Sequence, residues 1–383
     1  MSRWLVSLAA VAALGFTGNG DGGNRESRAT DQTSVLLQPL RSAGATVVGP
    51  VDFRAAPAMA WLSDSTLAIL DIDDQQAVIF DLDGTELRRV GRKGGGPGEF
   101  GGALTLLSNE RGELAVGDVL LSRVSHFGPD LRFLRSVRLP GSPLHLLGWE
   151  GHGVVAMWAG LGPGLADPTV GYVDLETGTA APAFTVFGAD SGLAARLPGS
   201  PAPSPYLAAA RVGWHTYVFA QPNEYRIVEI DMDGVVRRTF GRSDVERQLR
   251  TPDEIREMEA AFKRMLSQAG YTPPPEVRDM MNEALRAPKP HFLIPSFASD
   301  ELGRLWIATL RGGRDSTELD VFASGGSFLG TVAVAHQVRA LAIRLPLLAA
   351  LVQREEPTFE GQSSIDVYRV ADQAESGGEP DGE

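Results

Sequence analysis

The same punctuation occurs twice in this chain. Asp81-Leu82-Asp83-Gly84 is followed by Arg88-Arg89 and then by Gly91-Arg92, and far downstream Asp231-Met232-Asp233-Gly234 is followed by Arg237-Arg238 and Gly241-Arg242. In both copies ten residues separate the first Asp from the Gly of the Gly-Arg pair. Asp-Gly readily takes the positive φ angles of a tight hairpin, so each copy reads as a turn followed by a strand. A turn and strand repeated with fixed spacing inside one chain signals a repeat architecture.

The rest of the sequence fills in the repeat. Upstream of the first copy, Trp61 to Asp71 reads as strand, turn, strand, and Ala77-Val78-Ile79-Phe80 is a third run. Four short antiparallel strands in about 40 to 45 residues is the size of one propeller blade. A first hairpin recurs as Asn109-Glu110-Arg111-Gly112-Glu113-Leu114 and as Asp300-Glu301-Leu302-Gly303-Arg304-Leu305, with a weaker copy from Glu150 to Ala156. Outer hairpins fall at Asp83-Gly84, Pro129-Asp130, Thr177-Gly178, Asp233-Gly234 and Gly325-Gly326. The last stretch, from Val338 to Val370, holds three strands only. A segment near Val35-Leu37 or Val47-Val48 is expected to complete that set and close the ring, which removes exposed sheet edges. The expectation is an all-β, six-bladed β-propeller; a single large sandwich is the rival, but it does not predict the repeated positions.

One segment departs from this pattern. Thr251-Pro252-Asp253-Glu254 is a capping box with proline at the first helical position. Ile255, Met258, Phe262, Met265 and Leu266 follow at helical spacing. Gly270 is placed to end the helix, and Pro273-Pro274-Pro275 opens a second one. The reading is a helical hairpin, residues 243–291, inserted between blades four and five of a propeller spanning 35–372. Before it, Arg3, an apolar run from Trp4 to Phe16 and small polar residues follow the order of a secretory leader over residues 1–20. The run is too short to span a bilayer, which takes about 20 residues. It resembles a lipoprotein leader without the cysteine that would carry lipid. Residues 21–34 read as a disordered linker and 373–383 as an acidic disordered tail.

Composition excludes several functions. A net charge of −13 argues against a nucleic-acid partner, which needs clustered Lys and Arg. Absence of cysteine removes disulfides, thiolate metal sites and cysteine nucleophiles. The glycine run at 91–100 lacks the Gly-Lys-Ser/Thr and helix of a phosphate loop. The Asp-x-Asp-Gly turns lack the twelfth-position glutamate of a calcium loop, since Arg92 and Arg242 stand there. The six histidines, His126, His145, His152, His215, His291 and His336, show no zinc spacing. There is no Gly-x-Ser-x-Gly elbow, and no residue is assigned as catalytic or metal-ligating.

The segment Gly91-Arg92-Lys93-Gly94-Gly95-Gly96-Pro97-Gly98-Glu99-Phe100, the phrase Asp300-Glu301-Leu302-Gly303-Arg304-Leu305-Trp306-Ile307 and the closing Ile365-Asp366-Val367-Tyr368-Arg369-Val370 together resemble bacterial six-bladed propellers of the NHL-like type. The resemblance covers roughly residues 45–370 and implies an exported bacterial protein. It does not imply one activity, because that fold hosts lyases, lactonases, sensors and binding platforms. In such a ring the inter-blade linkers and the loops between second and third strands share one face. The long loops and the helical segment fall there, which makes that face the expected functional one. Candidate ligand contacts are Asp71, Arg92, Lys93, Asp118, Trp158, Arg242 and Arg311. The sequence reads as an extracytoplasmic, periplasmic or secreted, monomeric binding module for a protein or small molecule, with no cofactor and no membrane span once the leader is removed. The alternative is a propeller enzyme of lyase or lactonase type with Ca²⁺ or Zn²⁺ in its central channel.

Overall fold

The computed structural model describes residues 35–39, 58–160, 168–186, 208–212, 216–221, 225–246, 248–268, 275–286, 288–289, 291–312, 316–353 and 363–372. The leader, the following linker, the acidic tail, the Val47-Val48 segment and most of the long loops on the linker face lie outside them. The described strands form six four-stranded antiparallel sheets. Their first strands are Met59–Ser63, Ala103–Ser108, Ser142–Glu150, Ala208–Val212, Phe292–Ser299 and Gln337–Arg344. Each of these neighbours the first strand of the sheet before it and the sheet after it, and the last neighbours the first. The chain is an all-β propeller whose first strands surround a central axis.

Side-chain alternation explains why the sheets stack in a ring. In the second strand of sheet one (Thr66–Asp71), Leu67 and Ile69 pack against Ala340, Ala349 and Leu351 of sheet six. Ala68 and Leu70 point the other way, toward Leu114 and Val116 of sheet two and Phe100 of the linker that leads into it. A strand places successive side chains on opposite faces, so a run that is apolar at every position needs a neighbour on both sides. The second strands Leu114–Asp118, Gly153–Ala159 and Leu305–Thr309 are buried at every position. Six apolar clusters result, each drawn from two adjacent sheets.

Turns and outer strands account for the repeated residues. The Asp81 carboxylate accepts the N–H groups of Asp83 (2.9 Å) and Thr85 (2.8 Å), while Gly84 takes φ 80°. Asp231 does the same for Asp233 (3.0 Å) and Val235 (2.9 Å), with Gly234 at φ 77°. Asn109 and Asp300 cap the first hairpins of sheets two and five in the same way, with Gly112 and Gly303 at φ 76° and 74°. The acidic residues are therefore turn caps, which local side-chain to backbone hydrogen bonding favours. Four residues after the turn glycine, Arg88 on the outermost strand Glu86–Val90 donates to the Asp130 carbonyl of the next sheet's outer turn (2.6 Å). Arg135 donates to the Glu176 carbonyl one sheet further on, and Arg238 lies over the outer-turn glycines Gly325 and Gly326 of sheet five. One arginine position thus hydrogen-bonds two sheets to their neighbours and packs a third, through Arg238 (held by Glu229 of its own sheet), against its neighbour's turn.

Two further features complete the ring. The sixth sheet takes its outermost strand, Val35–Pro39, from the start of the described chain, pairing Val35 with Asp372 and Pro39 with Tyr368. Between sheets four and five the chain forms helices α1 (Pro252–Gln268) and α2 (Pro275–Arg286). At the start of α1 the Glu254 N–H donates to Thr251 Oγ1 (3.2 Å) and the Thr251 N–H to Glu254 Oε2 (2.7 Å). The chain returns beside its point of departure, where the Lys289 N–H donates to the Gln248 carbonyl (2.7 Å) and Lys289 Nζ meets Glu254 (2.6 Å).

The glycine run after the first sheet is a packed linker. Glu99 folds back to accept the Gly96 N–H (2.8 Å) and Arg92 Nε (2.8 Å). Arg123 donates to the carbonyls of Gly96 (2.9 Å) and Glu99 (2.7 Å). Phe100 is fully buried, with its ring against Gly91, where an added Cβ would lie 2.2 Å from a ring carbon. Gly91 also has φ 87°. Gly91→Ala is expected to lower stability by about 2 kcal/mol from the left-handed backbone alone, with the ring clash added. Urea unfolding should show the midpoint shift with little change in slope.

Candidate functional site

The sequence candidates on the linker side, Lys93 excepted, are engaged with the protein itself. Asp118, fully buried, accepts the N–H groups of Gly101 (2.6 Å), Gly102 (3.0 Å) and Leu121 (3.0 Å), which pins the linker to the next turn. Asp71 accepts from Asp73 and Asp74 (3.0 Å each) in the equivalent turn of sheet one. Burial pushes the Asp71 carboxyl above its ordinary value, against the pull of those two amides. Trp158 is a core residue between sheets two and three. Arg92 is paired with Glu99 (2.6 Å), and Lys93 is exposed on the linker.

Arg242 and Arg311, distant in sequence, converge on Asp320. This carboxylate is fully buried on the third strand of sheet five (Ser316–Phe322). Its Oδ1 accepts from Arg311 (2.5 Å), Arg242 (3.3 Å) and Thr331 Oγ1 (2.6 Å), and Oδ2 accepts the Tyr225 hydroxyl. Arg242 also pairs with Asp244 (2.5 Å) and lies 4.2 Å from the Phe328 ring centre; Arg311 pairs with Glu318 (2.9 Å). Burial, and then the adjacent Asp320 charge, push the Tyr225 phenol far above its ordinary value, so it stays a donor. Every charge in this cluster has an opposite partner. The cluster locks sheet four to sheet five at the root of the helical segment.

The space for a ligand lies at the other end of the ring. A cavity of about 680 Å³ opens on the axis, lined by the first strands of sheets one, two, three, five and six and by the first turns of sheets two, three and five. That is an ordinary size for a small-molecule site. Its wall includes Leu106, Leu107, Leu147, Phe297 and Leu341, with Trp61, His145 and Trp149 among them. Asn109, Glu110, Arg111, His152, Glu301 and Arg344 supply the rim from the turns. Trp61 Nε1 donates to the Ala342 carbonyl (3.0 Å), and Ser108 Oγ donates to the Trp61 carbonyl (2.5 Å), which fixes the wall between sheets six, one and two. The first strand is the inner edge of each sheet, so half of its backbone N–H and C=O groups face the axis without a strand partner. Among the described residues, no group of three or more His, Asp or Glu side chains is placed to hold a metal ion.

Behind Trp149 sits His126, on the third strand of sheet two (Arg123–Phe127), with ring centres 5.6 Å apart and edges to faces. Both its ring nitrogens are buried without a hydrogen-bond partner among the described residues. Burial holds the imidazole below its ordinary pKa, outweighing the opposite pull of Glu113.

No family model and no curated protein matches the chain. Solved structures do resemble it. A member of the DUF4221 family from Bacteroides vulgatus has a TM-score of 0.52 at 11% identity, over 89% of this chain and 100% of that one. A candidate exported protein from Bacteroides fragilis gives 0.49 at 15% identity, over 90% and 98%. A gluconolactonase from Xanthomonas campestris gives 0.48 at 13% identity, over 88% and 95%. Identity this low speaks to fold alone, and the first of these supports the propeller.

Two outcomes are expected from these clusters. Asp320→Ala leaves two arginines around a carboxylate-free hole and should cost about 3 kcal/mol in chemical unfolding, the scale for breaking a buried ion pair. His126 is held neutral in the folded chain, so the unfolded chain binds its proton first as pH falls. Stability contributed by this site is intact above about pH 6.5 and is lost below it. His126→Phe should flatten the decline of the melting temperature between pH 7 and pH 5; an unchanged pH profile would remove His126 from the account.

Proposed function

We propose that this protein is an exported six-bladed β-propeller of the NHL-like kind that works as a binding module, taking a small organic molecule into its axial cavity. The observation that carries the reading is the cavity itself: about 680 Å³, with leucine, phenylalanine and tryptophan side chains beside hydroxyl and imidazole groups in its wall, and charged groups at one rim. That distribution is typical of small-molecule sites, where apolar area supplies affinity and a few polar groups fix orientation. Inward-facing strand edges add backbone donors and acceptors that a ligand can satisfy. On the linker face Asp71 and Asp118 cap turns and Arg92, Arg242 and Arg311 are ion-paired within the protein, which supports a structural role for them; Lys93 stays exposed. Export rests on the leader pattern at residues 1–20; among the described residues no helix is long and apolar enough to cross a membrane.

The test uses N-phenyl-1-naphthylamine, a neutral apolar dye that accepts energy from tryptophan. Trp61 and Trp149 line the cavity, so a dye bound there should quench tryptophan emission and saturate near one per chain. Ser299→Trp narrows the mouth from the inner strand of sheet five. It is expected to abolish saturable dye binding while leaving the melting temperature within a few degrees. Dye binding that survives in the folded Ser299→Trp protein would move the apolar site elsewhere and overturn the cavity reading.

A further inference from the structure

Charge at the cavity mouth is uneven. Arg111 and Arg344 contribute to the rim, but Arg111 is paired with Glu113 (3.1 Å) and Arg344 with Asp64 (2.8 Å). Neither presents an uncompensated positive charge. Glu110 and Glu301 have no cationic partner among the described residues; Glu301 accepts only the Leu345 N–H (3.0 Å). His152 lies 3.6 Å from Glu176, whose carbonyl also receives Arg135, so this turn adds no unbalanced charge. The rim therefore carries a net negative charge.

The two unpaired carboxylates come from the first turns of sheets two and five, which stand across the ring from each other. A cation on the axis is attracted by both, and low-dielectric walls of leucine and phenylalanine focus that field. The other arginine of the sixth inner strand, Arg339, is five residues from Arg344 toward the linker end, about 15 Å away by strand rise.

Resting on the cavity reading above, we propose that the ligand is an amphipathic cation. Its aliphatic or aromatic body fills the apolar channel, and its ammonium or guanidinium group stays at the rim between Glu110 and Glu301. Anionic amphiphiles of the same shape are disfavoured by the same field.

Three probes with one tail separate the contributions: n-octylammonium, n-octanol and n-octanoate, titrated into the full chain at pH 7 with tryptophan emission as readout. The expected order is ammonium first, with octanoate at least tenfold weaker. The ammonium preference should shrink between 20 and 200 mM salt. Glu110→Gln with Glu301→Gln should weaken octylammonium about tenfold and leave octanol unchanged, the scale of two partly exposed charge contacts. Equal affinities for all three, or octanoate binding best, would overturn the charge selection while leaving the cavity as a site. No saturable binding by any probe would count against both readings. Octylammonium binding that persists in Ser299→Trp would place the cation outside the channel and defeat the proposal.

Discussion

No sheet of this protein can stand without two neighbours. Second strands such as Leu114–Asp118 and Leu305–Thr309 are buried on both faces, so each sheet needs an apolar partner on either side. An open stack would leave two such faces in water, and fully burying a single leucine is worth about 1.5–3 kcal/mol. Ring closure follows from that requirement. Pairing Val35–Pro39 with Ser363–Asp372 joins the two ends of the described chain within the sixth sheet, which meets the first through side chains. The outer arginines act on the same problem from the rim, each reaching the next sheet's turn.

Closure also sorts the polar residues. On the linker side the sheets meet where the chain crosses from one to the next, and the described charges are consumed in fixing those crossings. Asp118 holds three amides, and Asp320 gathers two arginines, a threonine and a tyrosine. A group so occupied has little left for a ligand, since breaking a satisfied buried contact costs more than an exposed contact returns. At the opposite end the turns are short, the rim is exposed, and the wall behind it mixes apolar side chains with hydroxyl groups and unpaired strand edges. The axial cavity proposed as the binding site opens at this end.

The propeller was legible because its signals are local. An Asp that caps a turn and a Gly at positive φ leave their mark within four residues, and Asp81, Asp231 and Asp300 show it. The buried second strands are visible as short unbroken apolar runs. The cavity left no such mark. Leu106, Leu147 and Leu341 read like any core leucine, and nothing in a period-two pattern tells an inner edge from an outer one. Arg242 and Arg311 stood out as charges near loops, but the carboxylate that unites them is separated by 78 residues from the first and 9 from the second. The ring, which no short window of sequence contains, decides which polar groups meet.

The helical segment has a property that its sequence hides. Its two ends are clasped to each other, by the Lys289 N–H on the Gln248 carbonyl and by Lys289 on Glu254, before the chain enters sheet five. Whatever lies between them is a cassette. Its length and surface can change from one homologue to the next without altering the distance the ring must bridge, so evolution can revise this appendage while the six-sheet frame and its axial cavity stay in register.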